Sequence, residues 1–433
     1  MTSEKPREIA VRVLRCWDES SGFLEDLLQA ALDQTPVTPA DRRLIQELTY
    51  GVVRWRATLD WLISRKTGDR PQNPLLRLLL RLGLYQVFWL DRIPDHAIVH
   101  ETVEMAKRLG LGRRSGFVNA VLRAFLREQA EIEGLLEQLK SSQPALGYSH
   151  PDWLHDRWCA RWGTKTAAQL MEWNNQRARI FARVNSLRTD PENLLDQWHK
   201  EGVQAEAFSR DWIQENLVWE IAVGSGLATL PSFLQGLFYI QDPSTPLAVE
   251  ALNPQPDEHI LDLCAAPGGK TTFMAQKMSN RGRIVACDAQ PDRLARLREN
   301  CARLGVTCVE AVAETLALDA PHAALFDRIL VDAPCSNTGV MQRRVDLRWR
   351  MRPEEIGRLR RIQLGLLHQA AERLKPQGSL VYSTCSLEAE ENREVVNEFL
   401  TAHGNFTLES ERELQPFHDA VDGAYVARLK GPA

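Results

Sequence analysis

The sequence predicts a multidomain α + α/β protein: an all-α bundle, then a small α+β module, then a doubly wound, mostly parallel sheet. Three observations predict it. Apolar residues recur at helical spacing up to about residue 130. A tryptophan-rich amphipathic stretch then mixes with short β-like runs as far as about residue 235. Beyond that, apolar strands alternate with helical patterns, the grammar of a parallel sheet covered by helices. At 433 residues the chain is also too long for one compact core.

Thr38-Pro39-Ala40-Asp41 reads as a helix start, with a hydroxyl cap, proline in the first turn and an acid at the third position. Leu44, Ile45 and Leu48 continue the helical spacing, and Gly51 is expected to end it. Further helical patterns cover 74–90 and 115–127. Over residues 1–150, 21 Lys and Arg stand against 19 acids, so the bundle carries little net charge. Polar joints at 141–144 and 148–151 suggest domains at 1–140, 145–235 and 236–433.

In the middle module Trp153, Trp158 and Trp162 belong to one amphipathic helix, while Phe181–Val184 and Leu217–Trp219 read as strands. C-terminal strands are expected at Ile260–Cys264, Arg283–Asp288, Ile329–Val331 and Ser379–Tyr382. Helices are expected from Pro291 and from near Pro353, the second with a core-facing stripe of Ile356, Leu359, Ile362, Leu366, Ala370 and Leu374.

Composition narrows the function classes. Hydrophobic residues make up 44% and charged residues 25%, ordinary for a globular protein, and the formal charge of −4 does not advertise a nucleic-acid partner. The start lacks the apolar core of a secretory signal. Pro74–Leu90 is interrupted by Arg77 and Arg81, so a buried helix suits it better than a membrane span. The eight cysteines form no CxxC pair, which argues against a zinc site or a disulfide framework and favours a reducing cytoplasm.

Ala265-Ala266-Pro267-Gly268-Gly269-Lys270 follows the strand ending at Cys264. Glycines there let the backbone approach a ligand at the carboxyl edge of the sheet. A phosphate P-loop would need glycine where Cys264 stands, and no dinucleotide GxGxxG is present. Asp288 ends the next strand, where an acid can accept from ribose hydroxyls; the bland reading is a cap for the helix that follows. Cys264, Cys287, Cys301 and Cys308 lie in strand or helix patterns and read as core. Cys335 and Cys385 instead follow strand ends, with Asp332 three residues before the first, and parallel strands bring both to the cofactor edge.

These motifs carry a resemblance. LDLCAAPGGKTT from Leu261, DAPCSNTGV from Asp332 and YSTCS from Tyr382 resemble the RNA cytosine-C5 methyltransferases, above all the bacterial 16S ribosomal RNA methyltransferase B family. DRRLIQELTYGVVRWR from Asp41 and VNAVLRAFLR from Val118 look like that family's NusB-type RNA-binding domain. SHPDWL from Ser149 and VNSLRT from Val184 match its connecting module, and DGAYVARLK from Asp422 its last strand.

The resemblance implies a Rossmann-like class I methyltransferase sheet, S-adenosylmethionine as cofactor and a cytosine of 16S rRNA, before full subunit assembly, as substrate. It implies that Cys385 is the nucleophile and that Cys335 aids product release. Cofactor contacts are implied for Cys264, Ala265, Ala266, Pro267, Gly268, Gly269, Lys270, Asp288 and Asp332. Two departures from the family stand out: the stretch Val309–Glu314 differs where the family has its adenine-site acid, with Glu314 as the substitute, and Arg344-Val345-Asp346 lacks the proline common before the aspartate.

Carbon 5 of a pyrimidine is a poor nucleophile, and a thiolate adding to carbon 6 makes it enamine-like. Asp332 is placed to stabilise that adduct at the Watson–Crick edge of the base. Residues 341–361 hold eight arginines against three acids, and Arg343, Arg348 and Arg350 with Trp349 are the expected RNA contacts, ahead of Arg358 and Arg361. No metal, no membrane and a monomer are expected. The alternatives are the same chemistry on tRNA or another RNA, and a non-catalytic RNA-binding assembly factor.

Overall fold

The computed structural model describes residues 4–68, 70–224, 226–313 and 325–433, so Glu314 lies outside the described residues. The chain divides into two compact units. The first holds the residues up to Gln176 together with Met341–Arg350; the second holds Arg177–Val340 and Met351–Ala433.

The first unit is helical. Thr38 caps the helix Pro39–Arg54 by accepting from the Asp41 amide at 3.1 Å. That helix runs through Gly51 instead of stopping there. A Cβ on Gly51 would lie 1.9 Å from the Tyr85 ring, so this glycine serves the close approach of the helix Pro74–Trp89. Ile9, Leu14, Ile45, Leu80, Leu122 and Phe125 are among the core residues. No described helix is long and apolar enough to cross a membrane.

Residues 341–350 are part of this unit, and they correct an expectation. Arg348 is fully buried, not poised for RNA. Its guanidinium donates to Asn175 Oδ1 at 2.8 Å, to the Asn174 carbonyl at 3.1 Å and to the Ser149 carbonyl at 3.2 Å. Trp349 donates its indole N–H to the Val53 carbonyl at 2.7 Å, and Arg350 donates to the carbonyls of Trp17, Ser20 and Gly22. Arg343 is half-buried. Arg358 and Arg361 are exposed, Arg358 paired with Glu355. A run of arginines reads as a surface, but a short helix that packs inward spends the same donors on backbone carbonyls.

Arg348→Ala should therefore destabilise this unit by about 2–4 kcal/mol, since several buried carbonyls lose their donors. Lysine should not rescue it, because one ammonium cannot reproduce the planar fork. Thermal melts of both variants check this, and an unchanged melting temperature would refute it.

The second unit contains two sheets. The smaller is antiparallel, in the order β2 (Gln204–Phe208), β3 (Val218–Ala222), β1 (Phe181–Val184), β4 (Phe238–Ile240). The larger follows as β5 (His259–Leu263), β6 (Arg283–Asp288), β7 (Val309–Ala313), β8 (Phe326–Asp332), β9 (Leu374–Thr384), β10 (Thr407–Leu414) and β11 (Ala424–Lys430). Its spatial order is β10-β11-β9-β8-β5-β6-β7, with β5 to β9 parallel and β11 antiparallel to both of its neighbours, β9 and β10. The chain leaves β5 toward β6 and β7, then returns to place β8 on its other side. The switch point therefore lies between β5 and β8, where such sheets open a crevice at their carboxyl ends.

The helix Pro353–Ala371 buries Ile356, Leu359, Gln363, Leu366, Leu367 and Ala370. Ile362, expected in the stripe, is exposed, and Leu374 belongs to β9. Position 363 faces inward instead, and it carries a polar side chain that matters below.

Candidate active site

At the carboxyl end of β5 the chain leaves the strand at Cys264, in a left-handed backbone conformation (φ 63°), and reaches the helix Gly269–Lys277 through the Gly-rich loop. Arg183 on β1 supports this loop from beneath. It is fully buried, donates to the Gly269 carbonyl at 2.8 Å and to Thr272 Oγ1 at 3.1 Å, and bonds Gln241. Burial pulls its guanidinium down to about 9. Sequence reading missed Arg183; a lone arginine inside an apolar strand was the available signal.

Three acids surround the loop. Asp288, at the end of β6, accepts from the Gln290 amide at 3.1 Å and the Ala266 amide at 3.3 Å, and pairs with Arg293 at 3.4 Å. It thus ties the next turn to the Gly-rich loop, but it does not cap the helix Pro291–Leu304, whose N-cap is Gln290 without a side-chain cap. Asp332, at the end of β8, takes Lys270 Nζ at 2.6 Å and the Ser383 hydroxyl at 2.8 Å, both on Oδ1. Burial pulls the Lys270 ammonium down, but Asp332, with Cys385 and Asp262 behind it, outweighs this and leaves it raised.

The third acid, Asp262 within β5, was not anticipated. It is fully buried; Thr271 donates to its Oδ2 at 2.6 Å, and its Oδ1 has no partner among the described residues. Burial, only partly offset by Thr271, pushes this carboxyl up to about 7. A carboxyl whose folded pKa is raised adds stability while protonated and loses it as pH climbs through that value. Asp262→Asn should therefore gain on the wild type between pH 5 and pH 8, by at most about 3 kcal/mol. Denaturant unfolding of the two proteins at both pH values checks this; a difference that stays constant with pH would contradict it.

The two strand-end cysteines come together. The register sets Asp332 opposite Ser383, so the loops after β8 and β9 leave the sheet side by side. Cys335 Sγ and Cys385 Sγ are 3.4 Å apart, the first buried and the second partly exposed. The hydrogen bond with Cys385, then burial and the charges of Cys385 and Glu391, push the Cys335 thiol well above its ordinary value.

Backbone and side chains stitch the loops together. Gly339 N–H donates to the Cys385 carbonyl at 2.9 Å, and a Cβ on Gly339 would lie 2.7 Å from that oxygen. The Leu387 amide donates to Thr338 Oγ1 at 2.9 Å. Beneath both loops sits Glu391, fully buried, which accepts from the Ser336 amide at 2.9 Å, Ser386 Oγ at 2.5 Å and Gln363 Nε2 at 3.1 Å, and also bonds the Ser336 hydroxyl. Sequence reading missed this brace as well. Of the four cysteines read as core, Cys287 and Cys301 are buried, while Cys264 and Cys308 are half-buried.

A switch point that opens onto a Gly-rich loop flanked by strand-end acids places the second unit in the class of Rossmann-like methyltransferases. Known proteins narrow the class. Residues 249–430 match the 16S rRNA methyltransferase RsmB/F family, residues 4–127 the NusB family, and residues 150–216 the ferredoxin-like domain of RsmF/B-like methyltransferases. The chain is 36% identical, over 98% of its length and 99% of the relative, to a probable ribosomal RNA small subunit methyltransferase B of Synechocystis sp.. It is 37% identical, over 98% of both chains, to ribosomal RNA small subunit methyltransferase B of Erwinia tasmaniensis.

A solved methyltransferase homolog from Pyrococcus horikoshii superposes with a TM-score of 0.58 at 30% identity, covering 66% of this chain and 97% of that one. The chain belongs to the ribosomal RNA small subunit methyltransferase B family.

Proposed function

We propose that this protein transfers a methyl group from S-adenosylmethionine to carbon 5 of a cytosine in 16S ribosomal RNA, through a covalent bond from Cys385 to the base. The observation that carries the reading is the thiol pair, 3.4 Å apart, beside the Lys270–Asp332 ion pair at 2.6 Å. The relatives' names supply the RNA class.

The residues present suit the donor. The Gly-rich loop offers close backbone approach, Asp288 suits ribose hydroxyls, and the unpartnered, buried Asp262 Oδ1 calls for a hydrogen-bond donor. Bound there, S-adenosylmethionine would supply an electrophilic methyl group. Cys264, Ala265, Ala266, Pro267, Gly268, Gly269 and Lys270 would line it.

The Cys385 thiolate adds to carbon 6 of the cytosine, and the electron pair of the 5,6 double bond becomes available at carbon 5. Asp332, with Lys270 and Ser383 on one oxygen, keeps the other for the Watson–Crick edge of the base. With the methyl group on carbon 5, loss of the carbon 5 proton restores the 5,6 double bond and expels Cys385 as its thiolate. The electrostatics favour one order of events. While Cys385 carries charge, Cys335 is held neutral. Once that charge is consumed in the carbon–sulfur bond, Cys335 ionises more readily, loses its own proton to solvent, and can then accept the carbon 5 proton.

The protein is read as a cytoplasmic monomer that acts on RNA before the subunit is complete, with Arg343 retained as an RNA contact. Bisulfite sequencing of RNA from cells with and without the protein tests the substrate. One cytosine of 16S rRNA should lose its protection in the deletion strain. Protection lost only in tRNA would replace the proposal with its tRNA counterpart.

A further inference from the structure

We propose that Asn337 is a positioning residue for the Cys385 thiol, tying it to the backbone of Cys335 and holding its proton. The inference rests on Cys385 being the reacting group. Asn337 lies two residues beyond Cys335 with φ 58°, a left-handed conformation that asparagine tolerates better than most residues. Its Nδ2 donates to the Cys335 carbonyl at 2.7 Å. That bond fixes the orientation of the amide, because a carbonyl can only accept. Oδ1 is therefore the end that faces Cys385, and it accepts from Sγ at 3.0 Å.

With the Cys385 proton committed to Asn337, the donor in the 3.4 Å sulfur contact is the Cys335 thiol. Donation thus runs from Cys335 to Cys385 to Asn337. Ionisation of Cys385 would leave Oδ1, itself an acceptor, facing an anion. Asn337 therefore holds the proton-bearing thiol in one direction.

The other ionisable groups around this pair are Asp332, bound to Lys270, and Cys335, Glu391 and Tyr382, which influence one another behind the thiols. Asp332, Glu391 and Tyr382 do not accept from Cys385 among the described residues, and the 3.0 Å bond to Asn337 is shorter than the 3.4 Å sulfur contact with Cys335. A thiol held neutral while the site is idle is also protected from oxidation and stray alkylation, since the thiolate is the reactive form.

The test needs no RNA. Full-length protein is treated with iodoacetamide across a pH series, and modification of the peptide containing Cys385 is followed by mass spectrometry. Asn337→Gly suits the left-handed backbone and removes the amide. Its midpoint should fall, and alkylation at neutral pH should speed up by about threefold to tenfold. Asn337→Asp puts an anion beside the sulfur and should move the midpoint upward.

Midpoints unmoved in both variants, or an upward shift for glycine, would overturn the proposal and leave Asn337 with only a backbone role. Melting temperatures recorded alongside identify a variant that is poorly folded, and the other variant then decides. Alkylation reads the thiol without turnover. A failure of the nucleophile reading would instead appear as turnover surviving Cys385→Ala, with the Asn337 measurement intact.

Discussion

Cys385→Ala is expected to lower methyl transfer by at least about a thousandfold while binding of the methyl donor persists, because the uncatalysed carbon 5 cannot attack and nothing replaces the attacking sulfur. Cys335 lies 3.4 Å away but cannot take over. It is buried, and its position is fixed by the loop that Gly339 and Thr338 anchor to the β9 side. Serine at position 385 should fare no better, since a hydroxyl is a far weaker nucleophile at neutral pH.

Cys335→Ala should behave in the opposite way: attack proceeds, release stalls, and a denaturation-resistant protein–RNA adduct accumulates on a gel. Turnover of Cys385→Ala near the wild-type rate would end the nucleophile assignment. A Cys335→Ala protein that turns over without trapping RNA would end the release role.

The parts of this site that a sequence displays are those set by strand ends. In a parallel sheet, consecutive strands finish at the same edge, so Cys335, Cys385, Asp288 and the Gly-rich loop could be placed near one another from pattern alone. The distance between the two sulfurs is a different matter. It depends on the register of β8 against β9 and on the turns beyond them, neither of which has a signature in composition.

Buried charge was the least legible feature. Arg183, Arg348, Asp262 and Glu391 are all fully buried, yet charged residues in a sequence read as surface. Arg348 was accordingly assigned to RNA when it holds together the first unit. Gly51 shows the same limit for shape: it looks like a helix breaker, and only the Tyr85 ring explains its place inside a helix.

Glu391 is where these threads meet, and its removal should have the largest effect of any change away from the reacting atoms. Sequence context disguises it, because the acids from Glu388 to Glu391 resemble a solvated face. In the fold it is the common acceptor for Ser336, which follows Cys335, and Ser386, which follows Cys385, with Gln363 donating from the long helix. Burial raises its carboxyl despite four hydrogen-bond donors, so the site bears a cost to keep it there.

Glu391→Ala would orphan the buried Ser336 amide, leave the Ser336 and Ser386 hydroxyls only each other and Thr338, and should cost the second unit about 2–4 kcal/mol. Catalysis should fall further than stability explains, because the sulfurs lose the clamp that sets their separation, and small displacements of reacting groups are costly. Glu391→Gln separates charge from shape. Its carbonyl can still accept from the Ser336 amide, and the hydroxyls can turn to accept from its NH₂. It should therefore recover most of the melting temperature and much of kcat, with KM for RNA little changed in either variant. A folded Glu391→Ala protein with wild-type kcat would show that the loops hold the two thiols in place without it.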